Sequence, residues 1–207
     1  MDNNICHTTF KYKICVSGAA DTTYCGPDTF KIGEEIGREI VRHNAVCVTG
    51  ATTGFPNFAA KGAKNEGGIV IGFSPASTEK EHMHLFNLPT DYHDLIVYTG
   101  FHYSGRNLIL TRSSDAVIVG CGRMGTINEF TIAFEDNKPI GILEGDWETD
   151  EVLKLIIEKS HRADERKGMI VFDKDPKKLL DKLVEVIEKT KATNGIGGIG
   201  TFKVEKE

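Results

Sequence analysis

Seven short runs of apolar, mostly β-branched residues recur along the chain, at 13–16, 45–48, 69–71, 95–97, 116–119, 140–143 and 169–172. Each is continuous rather than alternating, the pattern of strands covered on both faces. Between them, apolar positions return every three or four residues, as helices require. Ile32, Ile36 and Ile40 mark one helix, with Gly33 and Gly37 offering a flat side for close packing. Phe58, Ala59, Gly62 and Ala63 mark a second, and Leu108 and Leu110 a third. Ile127, Phe130 and Phe134 mark the fourth, Val152, Leu153, Ile156 and Ile157 the fifth, and Leu179, Leu180, Leu183, Val184 and Ile187 the last.

Such alternation implies parallel strands joined by right-handed crossovers. The sequence therefore predicts one α/β domain over residues 1–192. It is a doubly wound, Rossmann-like parallel sheet of about seven strands with helices on both faces. An eightfold β/α barrel is disfavoured, because 207 residues are few for one. Two stretches break the rhythm. Residues 74–93 read as a long loop over the sheet, and its histidines, His82, His84 and His93, as solvent-exposed. Residues 193–207 read as a flexible glycine-rich tail.

Charge and composition narrow the picture. A net charge of −5 argues against an extended nucleic-acid surface. No stretch approaches the roughly 18 apolar residues of a membrane span, and the polar start Met1-Asp2-Asn3-Asn4 is unlike a secretory leader. The five cysteines are odd in number and lack C-x-x-C spacing. They read as reduced thiols in a cytoplasmic protein, without a disulfide framework. No histidine or cysteine spacing suggests a metal site, and no cofactor is expected.

In open parallel sheets, ligands bind beyond the carboxyl ends of the strands. Ser17-Gly18-Ala19-Ala20 follows the first strand, 49–54 (with Gly50 and Gly54) the second, Thr99-Gly100 the fourth and 120–126 the fifth. Small residues there leave backbone N–H groups open, and a helix start behind them favours an anion. The last loop, with Gly122, Arg123, Met124, Gly125 and Thr126, leads into a helix carrying Glu129. That glutamate either complements the helix dipole or faces a phosphate-sized pocket as a working carboxylate. Arg106 follows Gly105 at the top of the sheet, where a guanidinium can reach a phosphate or stack on a base.

Arg106-Asn107, then Ser114-Asp115-Ala116, then 121–129 (CGRMGTINE) together resemble the LOG family of cytokinin-activating phosphoribohydrolases. They also resemble its wider relatives, the molybdenum-cofactor carrier-like proteins and the Rossmann part of the DprA/Smf proteins. The family pattern has an Arg-Lys pair and P-G-G-x-G-T-x-x-E. Here Asn107 replaces the lysine, Cys121 the proline and Arg123 the second glycine, while Arg106 and Glu129 are retained. The resemblance implies a nucleotide-type ligand anchored at Ser17, Gly18, Gly50, Gly54 and 122–126, with Arg106 and Glu129 as the catalytic pair if a nucleoside 5′-monophosphate is hydrolysed. The alternative it carries is a non-catalytic nucleotide or molybdenum-cofactor carrier or sensor. A DNA-processing role is disfavoured by the acidic balance. It further implies a homodimer or higher homo-oligomer, to which the helix face around Phe130 and Phe134 would contribute.

Overall fold

The computed structural model describes residues 12–196. Seven strands alternate with seven helices: β1 (Tyr12–Ser17), α1 (Thr29–Arg42), β2 (Ala45–Thr49), α2 (Phe55–Asn65), β3 (Val70–Ser74), α3 (Glu79–His84), β4 (Leu95–Tyr98), α4 (His102–Ser113), β5 (Ala116–Val119), α5 (Met124–Glu135), β6 (Ile140–Leu143), α6 (Thr149–Lys159), β7 (Ile170–Asp173) and α7 (Pro176–Ile196). All six strand pairings are parallel, in the order β4-β3-β2-β1-β5-β6-β7. The doubly wound sheet expected from the hydrophobic pattern is therefore the observed one.

Alternate residues of every strand but the edge strand β4 feed two cores. Ile14, Val16 and Ile118 face α1, α2 and α7, where Ile36, Ile40, Ala59, Leu179 and Leu183 pack. Cys15, Val117 and Val119 face the other way, toward Leu110, Phe130, Ala133 and Leu153 of α4, α5 and α6. Because the order reverses after β4, α4 crosses back over the sheet, and a crevice opens where β1 and β5 lie side by side. Gly37 lets α1 and α2 touch: a Cβ there would collide with the Ala59 carbonyl, and one at Gly62 with that of Glu34.

Several expectations are corrected. The 74–93 segment is not all loop, since α3 forms within it. Thr78 caps that helix by accepting a hydrogen bond from the Glu81 N–H, and Glu81 Oε2 accepts from the Ser77 N–H at 2.8 Å. Polar side chains thus satisfy orphan amides in the manner of a capping box. His82 is fully buried and His93 partly so, rather than solvent-exposed. Phe130 and Phe134 lie in the chain's own core, with the guanidinium groups of Arg162 and Arg166 over the Phe134 ring, so they present no free face. The cysteines are not all reduced: Cys25 and Cys121 form a disulfide across 96 residues, while Cys15 and Cys47 are buried thiols. The α7 backbone is helical through Ile196, and the rest of the expected tail, like Cys6 and the first residues, lies outside the described residues.

Candidate functional site

The crevice between β1 and β5 holds a hollow of about 310 Å³ on the α4/α5 side of the sheet. Its walls come from the β1–α1 loop (Gly18, Ala19, Ala20), from Thr52 after β2, from Tyr103, Arg106 and Asn107 of α4, and from Arg123, Gly125, Thr126 and Glu129 at the start of α5. Behind the Gly18 wall, Phe55 packs against Gly18 and Gly120 and stands edge-on to Trp147. Any side chain at Gly18 or Gly120 would strike that ring.

At the floor, Arg106 and Glu129 are both buried and point at each other, with Nη1 3.5 Å from Oε1. Ser17, at the end of β1, donates its hydroxyl to Glu129 Oε2. The Asn107 amide, with its nitrogen turned to the carboxylate, donates to Glu129 Oε1 at 2.9 Å. Gly50 lies under the guanidinium, where a Cβ would overlap Arg106 Nη1. Burial pushes the Glu129 carboxyl above the ordinary carboxylate range, and Arg106 and Ser17 offset this only in part. Desolvation outweighs the partner's charge, so this group binds a proton more readily than a solvated glutamate.

At the rim, Arg123 behaves differently. Its side chain is 60% exposed, its guanidinium sits 5.6 Å from the Tyr24 ring centre, and it approaches Asp21 Oδ2 only to 3.9 Å. So long and solvated a pair holds its partners weakly. No side chain caps α5, so the positive end of the helix faces the hollow at Gly125 and Thr126.

Six of the expected site residues line the hollow: Gly18, Arg106, Arg123, Gly125, Thr126 and Glu129. Ser17 and Gly50 support it from beneath through Glu129 and Arg106. Gly54 instead shapes the start of α2, where its φ of 72° and its contact with the Ala19 and Ala20 carbonyls exclude a side chain. Met124 points outward, 76% exposed. The Gly122 N–H is already donated to Thr149 Oγ1 at 2.8 Å, and Thr149 returns a bond to the Gly122 carbonyl. The Thr99–Gly100 turn lies outside the hollow, packed near Ser74 and Ser77. Sequence reasoning missed Tyr103, placed Ala19, Ala20 and Thr52 in ligand-facing loops without singling them out, and treated Asn107 as a departure rather than a lining residue. Helical spacing held the signal for Tyr103, which stands three and four residues before Arg106 and Asn107.

The sequence model of the SLOG cluster4 family matches residues 11–180, and the chain belongs to that family. A protein of Archaeoglobus fulgidus with no described function is 32% identical over 132 residues, 64% of this chain and 80% of that one. The molybdenum cofactor binding protein from the phototrophic bacterium Rippkaea orientalis superposes with a TM-score of 0.66 at 25% identity, covering 89% of this chain and 99% of that one. The molybdenum cofactor carrier protein of Chlamydomonas reinhardtii shares the fold at TM-score 0.64 and 24% identity, over 88% of this chain and 99% of the other. DNA processing protein A of Helicobacter pylori does so at TM-score 0.58 and 18% identity, over 84% and 80%.

Proposed function

We propose that this SLOG cluster4 protein binds a phosphorylated small molecule of nucleotide type in the hollow between β1 and β5. The observation that carries this reading is the buried Arg106–Glu129 pair beneath an uncapped helix start at the strand-order reversal. The fixed guanidinium and the amides of Gly125 and Thr126 supply the positive field for a phosphate, and a second guanidinium waits at Arg123. Thr52, Tyr103 and Asn107 offer polar groups and a ring edge to the rest of the ligand. The likeness to a molybdenum cofactor binding protein supports carriage of such a ligand as its use. Titration calorimetry with adenosine 5′-monophosphate and inorganic phosphate tests the binding. Heat that saturates with the wild type and vanishes with Arg106→Ala is expected, and no heat from either probe overturns the reading.

One observation favours a second reading, hydrolysis of the N-glycosidic bond. A carboxyl with a raised pKa facing the ligand can pass a proton or steady the positive charge developing at the sugar. Water would add to C1′ as the C1′–N bond breaks and the base departs with a proton. Release of free base and ribose 5-phosphate, abolished in Glu129→Gln, separates this from carriage. A remote phosphate would contribute to lowering the barrier, so the unphosphorylated nucleoside would turn over poorly.

Cytoplasmic residence and self-association belong to the same proposal. Among the described residues no helix is long and apolar enough to cross a membrane. Edge strand β4 leaves Leu95 and Val97 exposed, apolar side chains that a second copy would cover. Light scattering of Leu95→Lys against the wild type reads that contact, with loss of the oligomer as the expected result.

A further inference from the structure

The two lips of the hollow are joined covalently. One lip is the β1–α1 loop, which contributes Gly18, Ala19 and Ala20 to the wall and carries Asp21 and Tyr24 against Arg123. The other lip is the β5–α5 loop, from which Arg123, Gly125 and Thr126 face the hollow. Cys25 lies in the first lip and Cys121 in the second, with Cα atoms 5.9 Å apart. Backbone hydrogen bonds supplement the link near the strand ends, from the Ala19 N–H to the Cys121 carbonyl at 2.7 Å and from the Gly120 N–H to the Ser17 carbonyl at 3.0 Å. Most side chains from Ala20 to Asp28 face solvent, yet Cys25 turns inward and is nearly fully buried.

We propose that the Cys25–Cys121 pair is a redox clasp that sets how firmly the two lips are held together, and through them the affinity of the hollow. In a reducing compartment a disulfide in a protein of this size is characteristically reversible rather than a permanent staple. The other two described cysteines are no rivals: Cys15 and Cys47 lie inside strands β1 and β2, and burial pushes the Cys47 thiol up to about 12. Opening proceeds by exchange with a small-molecule dithiol. A thiolate attacks one sulfur of the pair, the S–S bond breaks and the released cysteine sulfur takes a proton. The reagent's second thiol then resolves the mixed disulfide, giving two protein thiols and one cyclic disulfide of the reagent. Closing runs the same steps in reverse with a small-molecule disulfide. The clasp itself stands on the loop geometry and on the reducing compartment proposed above. Its bearing on affinity rests on the binding reading above.

The experiment compares protein equilibrated with oxidised and with reduced dithiothreitol. Peptide mapping without reductant is expected to find residues 25 and 121 linked in the first and carrying two alkylated thiols in the second. Hydrogen exchange over residues 18–28 is expected to be faster in the reduced form, and the melting temperature lower by about 10 °C. Affinity for adenosine 5′-monophosphate is expected to fall about tenfold on reduction, because the lips lose their preorganisation. The double variant Cys25→Ser/Cys121→Ser should behave as reduced protein under either condition, while Cys47→Ala should still respond to redox state. A pair that never forms, or identical exchange in the two forms, overturns the clasp. If neither form binds the nucleotide yet exchange differs, the clasp stands and the binding reading fails. If both bind equally while exchange differs, the binding reading stands and the clasp's control of affinity is overturned.

Discussion

Strands β1 and β5 each end in a charged hollow, and the two ends are opposites. The lower hollow, of about 380 Å³, surrounds Asp115, whose carboxylate takes the Lys13 ammonium at 2.8 Å and the Lys191 ammonium at 3.0 Å. Nearby, Arg112 grips Asp136 at 2.9 Å. Burial raises the Asp115 carboxyl, but the hydrogen bonds from Lys13 and Lys191 win and hold it below its ordinary value. In the upper hollow the guanidinium stands back at 3.5 Å and desolvation wins, leaving Glu129 raised. Similar space and similar charge thus do different work. Below, both Asp115 oxygens are committed to tying β1, β5 and α7 together. Above, charge has been buried without full compensation, the condition under which an arriving group finds something to bind.

Four changes test this contrast. Arg106→Ala strips Glu129 of its countercharge and should cost about 3–5 kcal/mol of stability, read by urea unfolding, together with all measurable phosphate affinity. Gly50→Ala adds only a methyl group, yet that methyl overlaps the guanidinium. It should cost about 1–3 kcal/mol and displace Arg106, so binding falls although no ligand contact is removed. Asp115→Asn should cost about 1 kcal/mol and leave binding as it was, since its partners are partly solvated and its hollow is structural. A loss of affinity there would erase the distinction between the two ends. The smallest effect is in pH dependence, where the two carboxylates should pull in opposite directions. Asp115 stabilises above its ordinary value of 3.8, and that contribution is lost as pH falls through its lower folded value. Glu129 binds its proton more tightly folded than unfolded, so its ionisation destabilises as pH rises from its ordinary 4.5 toward the folded value. Unfolding midpoints across acid pH should therefore slope more steeply in Glu129→Gln than in the wild type, and less steeply in Asp115→Asn.

Legibility followed the range of the interactions involved. Strand and helix identity rests on neighbours within one element, and the apolar runs and four-residue repeats carried it. Arg106 and Glu129 were singled out by the motif resemblance together with their places after a strand and a loop, and the fold brings the two side chains to 3.5 Å of each other. What went unread was settled between distant segments. Nothing near Cys25 announces Cys121. His82 and His93 sit among charged loop residues, yet strand-end hydroxyls draw them in, Ser74 to His82 Nδ1 at 2.8 Å and Thr49 to His93 Nε2 at 2.7 Å. Helix α3 was the exception, a local signal passed over, for Thr78 and Glu81 spell a capping box in plain sight. Gly50 was taken for a phosphate contact when its service is to make room for an arginine.

Phe55 gives the hollow its traffic rules. With that ring wedged behind Gly18 and Gly120 and edge-on to Trp147, the sheet side is walled, and a ligand of the proposed kind would enter past the exposed rim at Arg123. If the hollow carries a ligand as proposed, a donor and a recipient would meet it at that same rim, one after the other.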